Sequence, residues 1–586
     1  MLSYFDIFDI FDIFRIGGTG GASYNPTFVL DNMGRINSPT PATTIDNTRT
    51  STSTVPNNEG IYVTCEAGET TIQGGRRVRN IVKQPNDLEH TDWTKANATA
   101  TGPNSVTFNS IWGKVTGKTN LGDMRAGDRV VCRVTISGTG SGANSLNFRL
   151  EDSDSIANGQ IAVVVTGELT TYAIAYTLAS DVTYLSVVLD SNGGTVETLE
   201  LRDVQVQKIS GQSNNYPAEF IDTNTDYGYG VNGVKWYSTT NGNSVASNVV
   251  TEAPGTAISP APQVLMQPQR TSYAWPNQDL THANWVKTNI TAALDATDLS
   301  GVANAASTLT ATTANGTVFN TITLASAENT TAFYVRRKTG TGTIEISDDG
   351  GTSYTDITSS INSSTYTQAT VTTTQTNPSI GLRIVTSGDA VEVVSQLETG
   401  STATTLIETA TAAATRDNDE GVISDFNNWA PTTSGIMLFA FTPSGDWAAL
   451  GAEQLVYGGA SANLLFRSAN DDGLKATDGT STPAILSGHT PGTEIIASVY
   501  WDASLNILQV GYYEMDNTTQ HWDASPATFT TLTVDPELII AKILDGAITI
   551  RGLQMFNGMP ASGVGQASIE AWIEANQEAE ILKRQA

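Results

Sequence analysis

The sequence predicts an all-β fold, a string of antiparallel jelly-roll sandwiches closed by a short C-terminal helix. Three observations carry that reading. Thr, Ser, Asn, Gly, Ala and Val dominate while Lys and Glu are scarce, which favours strands and turns over helices. Short apolar or alternating runs recur roughly every 10–20 residues with Gly, Asn and Asp between them, the spacing of an antiparallel sandwich. One stretch also occurs twice: residues 85–100 and 276–292 share the frame P-N-(x)-D-L-x-H-x-x-W-x-K-x-N-x-T-A, with one residue inserted in the second.

A chain of 586 residues is too long for one core and should hold roughly three or four domains. Its 39% hydrophobic fraction suffices to pack them. With 59 acids against 30 bases the net charge is −29, a surface that repels nucleic acid and anionic membrane and suits uncharged ligands or cationic partners.

Residues 1–23 form an apolar peptide and a Gly-rich joint. Phe5, Ile7, Phe8, Ile10, Phe11, Ile13 and Phe14 alternate with Asp in a Phe-Asp-Ile repeat. An Asp at every third place excludes a membrane span, and the missing basic region and cleavage site argue against a secretory signal. So greasy a peptide must bury itself. The flexible joint at 17–21 favours burial in a larger assembly over burial in its own first domain.

Residues 24–78 read as a small, turn-rich β region for docking, with strand-like text at 27–30 and 60–65. The first sandwich module spans 79–223, with strands expected near 129–136, 145–150, 161–165, 171–178, 182–189 and 198–207. Residues 224–268, marked by Pro254, Pro260, Pro262 and Pro268, are expected to be an extended connector. The second module, 269–420, duplicates the first. It starts on the same frame and closes alike, with 394–400 and 404–409 matching 204–207 and 217–223. Residues 421–586 differ. Buried strands are expected at 435–443, 463–467, 494–500, 505–513 and 547–556, and an amphipathic helix at 568–582.

Chemistry has little raw material here. There are four histidines and two cysteines, with no Cys/His cluster for zinc. Cys65 and Cys132 sit in strand-like text and are expected to be buried free thiols rather than a disulfide. No nucleophile elbow, phosphate loop or dinucleotide fingerprint occurs, so no catalytic residue is assigned. Trp93 and Trp285 could stack on sugars, but a Trp at a fixed module start is better read as a core plug. His90 and His282 are read as loop holders. Residues 347–354 fit the Asp-box turn, a structural hairpin. Calcium at 152–154 or 471–473 is a weak candidate, because neither site has a dedicated loop spacing and a solvated acidic turn explains both. Aromatics are dense in the last domain. Trp447, Tyr457, Trp501, Tyr512 and Trp522 are the candidates there for a glycan surface, although most aromatics must be core.

The W-x-K-x-N start, the closing run 394–409 and the tail Thr-Arg-Asp-Asn-Asp at 415–419 resemble a module of bacteriophage virion proteins. The resemblance covers about residues 79–420, and the first copy lacks both the Q-x-E-x-G run and the tail. It implies a jelly roll like that of carbohydrate-binding modules. Residues 498–502, 551–556 and 569–572 resemble the concanavalin A/laminin-G sandwich. Together these imply a non-enzymatic virion protein, a tail or head fibre. It would be docked to other virion proteins through its N-terminus and touch a host cell-surface glycan. A homotrimer would suit a fibre, though no heptads support it. A secreted bacterial carbohydrate-binding adhesin and a glycan depolymerase are the alternatives.

Overall fold

The computed structural model describes residues 28–30, 33, 36–37, 46–119, 124–140, 145–152, 157–191, 196–443, 454–458, 464–467, 473–478, 492–514, 520–522, 527–543, 546–557 and 573. The Phe-Asp-Ile peptide lies outside them. So does the expected helix at 568–582 except for Ile573, which is helical and buried.

The protein is all-β, with antiparallel sheets packed into sandwiches. In the first module, Trp93–Ala96, Lys114–Lys118, Leu185–Asp190, Ser145–Asp152 and Ala157–Val164 lie side by side in one sheet. The facing sheet runs Ala98–Gly102, Ser105–Phe108, Val196–Lys208, Arg129–Gly140 and Thr170–Thr177, and Val249–Thr251 and Ser244–Ala246 extend it. Alternation sets the inward face. Leu146, Phe148 and Leu150 enter the core while Arg149 between them pairs outward with Asp190. The second module repeats this order strand for strand. One sheet is Val286–Thr288, Gly316–Thr321, Ser379–Ile384, Ile344–Ser347 and Thr355–Asp356. The other is Ile290–Ala296, Ala306–Ala311, Ala390–Thr399, Ala327–Thr339 and Thr367–Gln375.

The duplicated frame is a device for starting this sandwich. Trp93 and Trp285 plug their module cores, and each indole N–H donates to a backbone carbonyl at 2.8 Å, Gln84 O and Pro276 O respectively. The Lys two residues on donates back to the carbonyl of Leu88 in one copy and of Leu280 in the other. His90 Nδ1 and His282 Nδ1 each accept from a backbone N–H two residues ahead at 3.2 Å. Asn97 and Asn289 then adopt φ of +50° and +58°. Each is the single residue between a strand of one sheet and the first strand of the other. Asn tolerates that left-handed turn better than other residues with a Cβ. The closings match as well: Gln205 and Gln396 accept from the backbone N–H of Ile221 and Ile407 at 2.8 and 2.7 Å, pinning each trailing segment.

The third sandwich departs from a linear string. Its long strand Ile548–Asn557 pairs with Ser434–Pro443 on one side. On the other side it pairs with Phe28–Leu30 at one end and with Gln263–Met266 at the other. Gln263–Met266 in turn pairs with Ile72–Gln73. In the second sheet, Asp46–Asn47 pairs with Gly421–Ile423. Leu30, Val55, Cys65, Ile72, Trp236 and Val264 share one core with Phe439, Trp501 and Met555. The early strands Phe28–Leu30, Asp46–Asn47 and Ile72–Gln73 and the connector strand Gln263–Met266 therefore belong to this hub, whereas the connector's Ser244–Ala246 and Val249–Thr251 belong to the first module's sheet. The chain leaves the hub for one module, returns, leaves for the other, and returns again. The connector's prolines flank its strands instead of interrupting them, so Val234–Tyr237 still pairs with Arg76–Arg79. Cys65 is in the hub core and Cys132 in the first module's core, both as free thiols whose pKa burial pushes up.

Candidate functional site

Of the five aromatic candidates of the last domain, Trp501 and Tyr512 are core residues. Trp501 is 1% exposed, and its indole donates to Pro431 O at 2.9 Å, so neither ring face is free for a sugar. Tyr512 is buried and stacks on His521 with ring centroids 4.6 Å apart. Both sit on strands, Ile495–Asp502 and Ile507–Glu514, whose residues are buried on both faces. Trp522 is half-buried and meets the edge of Tyr500 at 6.0 Å. Trp447 and the side chain of Tyr457 lie outside the described residues, as does the whole anchor peptide from Phe5 to Phe14.

The Asp-box is a hairpin joining Ile344–Ser347 to Thr355–Asp356. Burial works to raise the Asp349 pKa. Hydrogen bonds from Ser353, Ser347 and Thr352 outweigh it and hold the carboxyl at about 2. Tyr354 lies under the Arg383 guanidinium, 3.6 Å from ring centroid to Cζ. The Asp349 carboxylate is thus committed to the turn, while Asp348 accepts from the Thr373 hydroxyl of a neighbouring strand. Of the calcium candidates, Asp152 is buried, and Asp154, Asp471 and Asp472 lie outside the described residues. Among the described residues no group of three or more His, Cys, Asp or Glu could hold a metal ion, and no helix is long and apolar enough to cross a membrane.

Among the described residues, a strongly exposed aromatic is one the sequence reading passed over. Trp112 is 64% exposed and Ile111 46%. Trp112 is the single aromatic among the strongly exposed large apolar side chains of the described residues. The pair tips the turn between Ser105–Phe108 and Lys114–Lys118 in the first module. That turn is tightly held. Gly113 N–H donates to Ser110 O at 3.0 Å, Ser191 N–H to Gly113 O at 2.9 Å, and Asn109 N–H to Asn97 O at 2.8 Å. A Cβ on Gly113 would come within 2.1 Å of the Phe108 ring, so the backbone is pressed onto the core. Uncharged polar groups brace the same turn: the Ser110 hydroxyl accepts from the Trp112 backbone N–H at 3.2 Å, and Asn109 donates to the Thr99 hydroxyl at 2.9 Å. A solvated indole on a braced turn can stack on the C–H face of a sugar ring. The equivalent turn of the second module, 312–315, reads Thr-Thr-Ala-Asn and carries no aromatic. The signal available in the sequence was Ile-Trp inside a turn, where apolar residues have no core to enter.

No protein-family model and no curated protein matches the chain. Among solved structures it is similar to a CBM4, at 14% identity over 23% of this chain and 95% of that one, with a TM-score of 0.17. It is also similar to the CBM22-1–CBM22-2 tandem domain of Paenibacillus barcinonensis Xyn10C, at 11% identity over 56% and 98%, with a TM-score of 0.18. A third is the binding domain of botulinum neurotoxin serotype D, at 7% identity over 27% and 41%, with a TM-score of 0.17.

Proposed function

We propose that the protein is a non-catalytic attachment protein of a bacteriophage particle, docked by its N-terminal peptide and touching a host cell-surface glycan through its sandwiches. The observation that carries the glycan contact is Trp112, held out to solvent on a braced turn while Trp93, Trp285, Trp236 and Trp501 are all core. The particle assignment is supported by the module resemblance over residues 79–420 and by the apolar repeat at the N-terminus. Several copies per particle would turn weak single contacts into avidity. Two variants test the reading. Trp112→Ala should weaken adsorption of particles to host cells by roughly tenfold, the loss of one stacked ring. Removing residues 1–16 should abolish incorporation and leave the remainder folded. Normal adsorption with the first variant, or normal incorporation with the second, would count against it, as would release of reducing sugar from host capsule or lipopolysaccharide.

A further inference from the structure

A concave feature built from residues other than the Trp112 turn lies where the hub meets the second module. Two adjoining cavities, of about 340 and about 460 Å³, share Pro56, Gln73, Thr442 and Thr549 in their walls. Their size falls in the range of small-ligand sites. Separate stretches of chain build them: the turn around Pro56 with Tyr62, the strand Ile72–Gln73, the strand Gln263–Met266 with the residues before it, the second module's Tyr334, Gln368 and 403–405, and the hub strands Ser434–Pro443 and Ile548–Asn557.

Among the described residues the lining of neither cavity holds Asp, Glu, Lys, Arg or His. That is unusual on a chain of net charge −29, and it selects against charged ligands, which would find no counter-ion there. The cations behind these walls are engaged: Arg551 stands behind Gln263 and pairs with Glu494 at 3.4 Å, and Arg416 donates to Gln267 Oε1 at 3.1 Å and to Pro268 O at 3.0 Å. What the walls do offer is the partly exposed ring of Tyr62, backed by the buried Tyr334, and neutral hydrogen-bonding groups. Tyr62 and Tyr334 meet edge to face with centroids 5.7 Å apart. Burial pushes the Tyr62 phenol up to about 12, despite its hydrogen bond with Tyr334, so it stays an uncharged hydroxyl. Gln368 donates to the Tyr334 hydroxyl at 2.9 Å and to Thr404 O at 3.3 Å, which leaves its amide oxygen to accept. Gln73, exposed on the wall common to both cavities, makes no side-chain hydrogen bond among the described residues.

We infer that this cleft binds a neutral oligosaccharide, with a ring against Tyr62 and the amides of Gln73 and Gln368 reading its hydroxyls. Polyhydroxylated, uncharged rings match walls that mix aromatic faces with amides and hydroxyls and contain no ion. Two adjoining lobes suit a short chain of sugars better than a single one. The inference shares its ligand class with the function proposed above but uses other residues, so the two can fail separately.

The test is a printed array of neutral and of uronate- or sialate-bearing oligosaccharides, probed with the full chain. Gln73→Trp fills the junction of the two cavities and, at an exposed position, should leave the melting temperature unchanged. It should lower binding to neutral oligosaccharides by roughly tenfold or more. Gln368→Ala removes one hydrogen-bonding group and should lower it by roughly fivefold. The cleft assignment is overturned if both variants bind as the parent does, if the bound sugars are all acidic, or if the parent binds no sugar. Should Trp112→Ala abolish binding while Gln73→Trp leaves it intact, the cleft is excluded and the attachment function stands.

Discussion

Arg49 and Asp419, 370 residues apart in sequence, form an ion pair whose two side chains are completely buried. Asp419 ends the tail that follows the second module. It also accepts from Asn47 Nδ2 at 2.9 Å and from the backbone N–H of Gln267 at 3.0 Å. Arg49 spends its remaining donors on the carbonyls of Ser51, Glu66 and Glu69 and on the Thr71 hydroxyl. In the same tail, Arg416 donates to Gln267 Oε1 at 3.1 Å and to Pro268 O at 3.0 Å. The tail is therefore a clasp that ties the second module's exit to the chain's early strands and to its connector. The first module lacks such a tail, and its exit runs into the Val234–Tyr237 pairing instead.

Removing one partner of a buried pair strands the other charge, which costs about 3–5 kcal/mol. Asp419→Ala should destabilise the hub by about that amount while the first module melts as before. Denaturant titration followed at the hub and module tryptophans separately would read this. A uniform loss across all three sandwiches, or none, would show that the pair does not hold the hub together.

The two core tryptophans give a matched experiment within one chain. Trp93 and Trp285 have the same indole hydrogen bond and the same degree of burial. Truncating a buried Trp to Ala costs roughly 3–5 kcal/mol. Trp93→Ala should destabilise only the first module and Trp285→Ala only the second, by similar amounts. Calorimetry of each variant should show one transition moved down and the others in place.

What was legible in the sequence is what is local. Strand alternation such as Leu146, Phe148 and Leu150, and the fixed spacing of Trp, Lys and Asn in the frame, act within one turn or one strand, so they read without a structure. The hub was not legible, because Phe28–Leu30 and Gln263–Met266 are short strands whose partner, Ile548–Asn557, lies hundreds of residues away. Pairing at such a distance leaves no pattern in either segment. The burial of Trp501 and Tyr512 has a related cause. Along Ile495–Asp502 every residue is buried, so no alternation tells an inward Trp501 from an outward one, and aromatic density alone does not separate core rings from exposed ones. The short helix Phe426–Trp429 went unread because a single turn carries no period.

Asn289 should be sensitive to backbone geometry and insensitive to side-chain chemistry. At φ of +58° a residue with a Cβ and no local hydrogen-bonding side chain is strained by roughly 1–2 kcal/mol. Asn289→Ala should therefore destabilise the second module by about 1 kcal/mol, whereas Asn289→Gly should be close to neutral or slightly stabilising. If Ala and Gly cost the same, the side-chain amide rather than the left-handed turn is what the frame requires.

The Asp-box turn makes a pH prediction whose sign follows from its hydrogen bonds. The folded-state pKa of Asp349 is depressed from 3.8 to about 2 by donors that are in place only when the hairpin is formed. A carboxyl depressed in the folded state favours folding fully above its unfolded pKa, and that contribution is lost as pH falls through the folded value. The second module should thus lose stability as pH drops from near 3.8 towards 2, in part through Asp349. Asp349→Asn cannot titrate, so the variant should be less stable than the parent near neutrality, and the gap should narrow through that same window. Urea titrations of parent and variant at about pH 6, pH 4 and pH 2.5 would measure it. A gap that stays constant across the three would mean that the turn is held by Ser347, Gly350 and Gly351 alone, with no help from the charge.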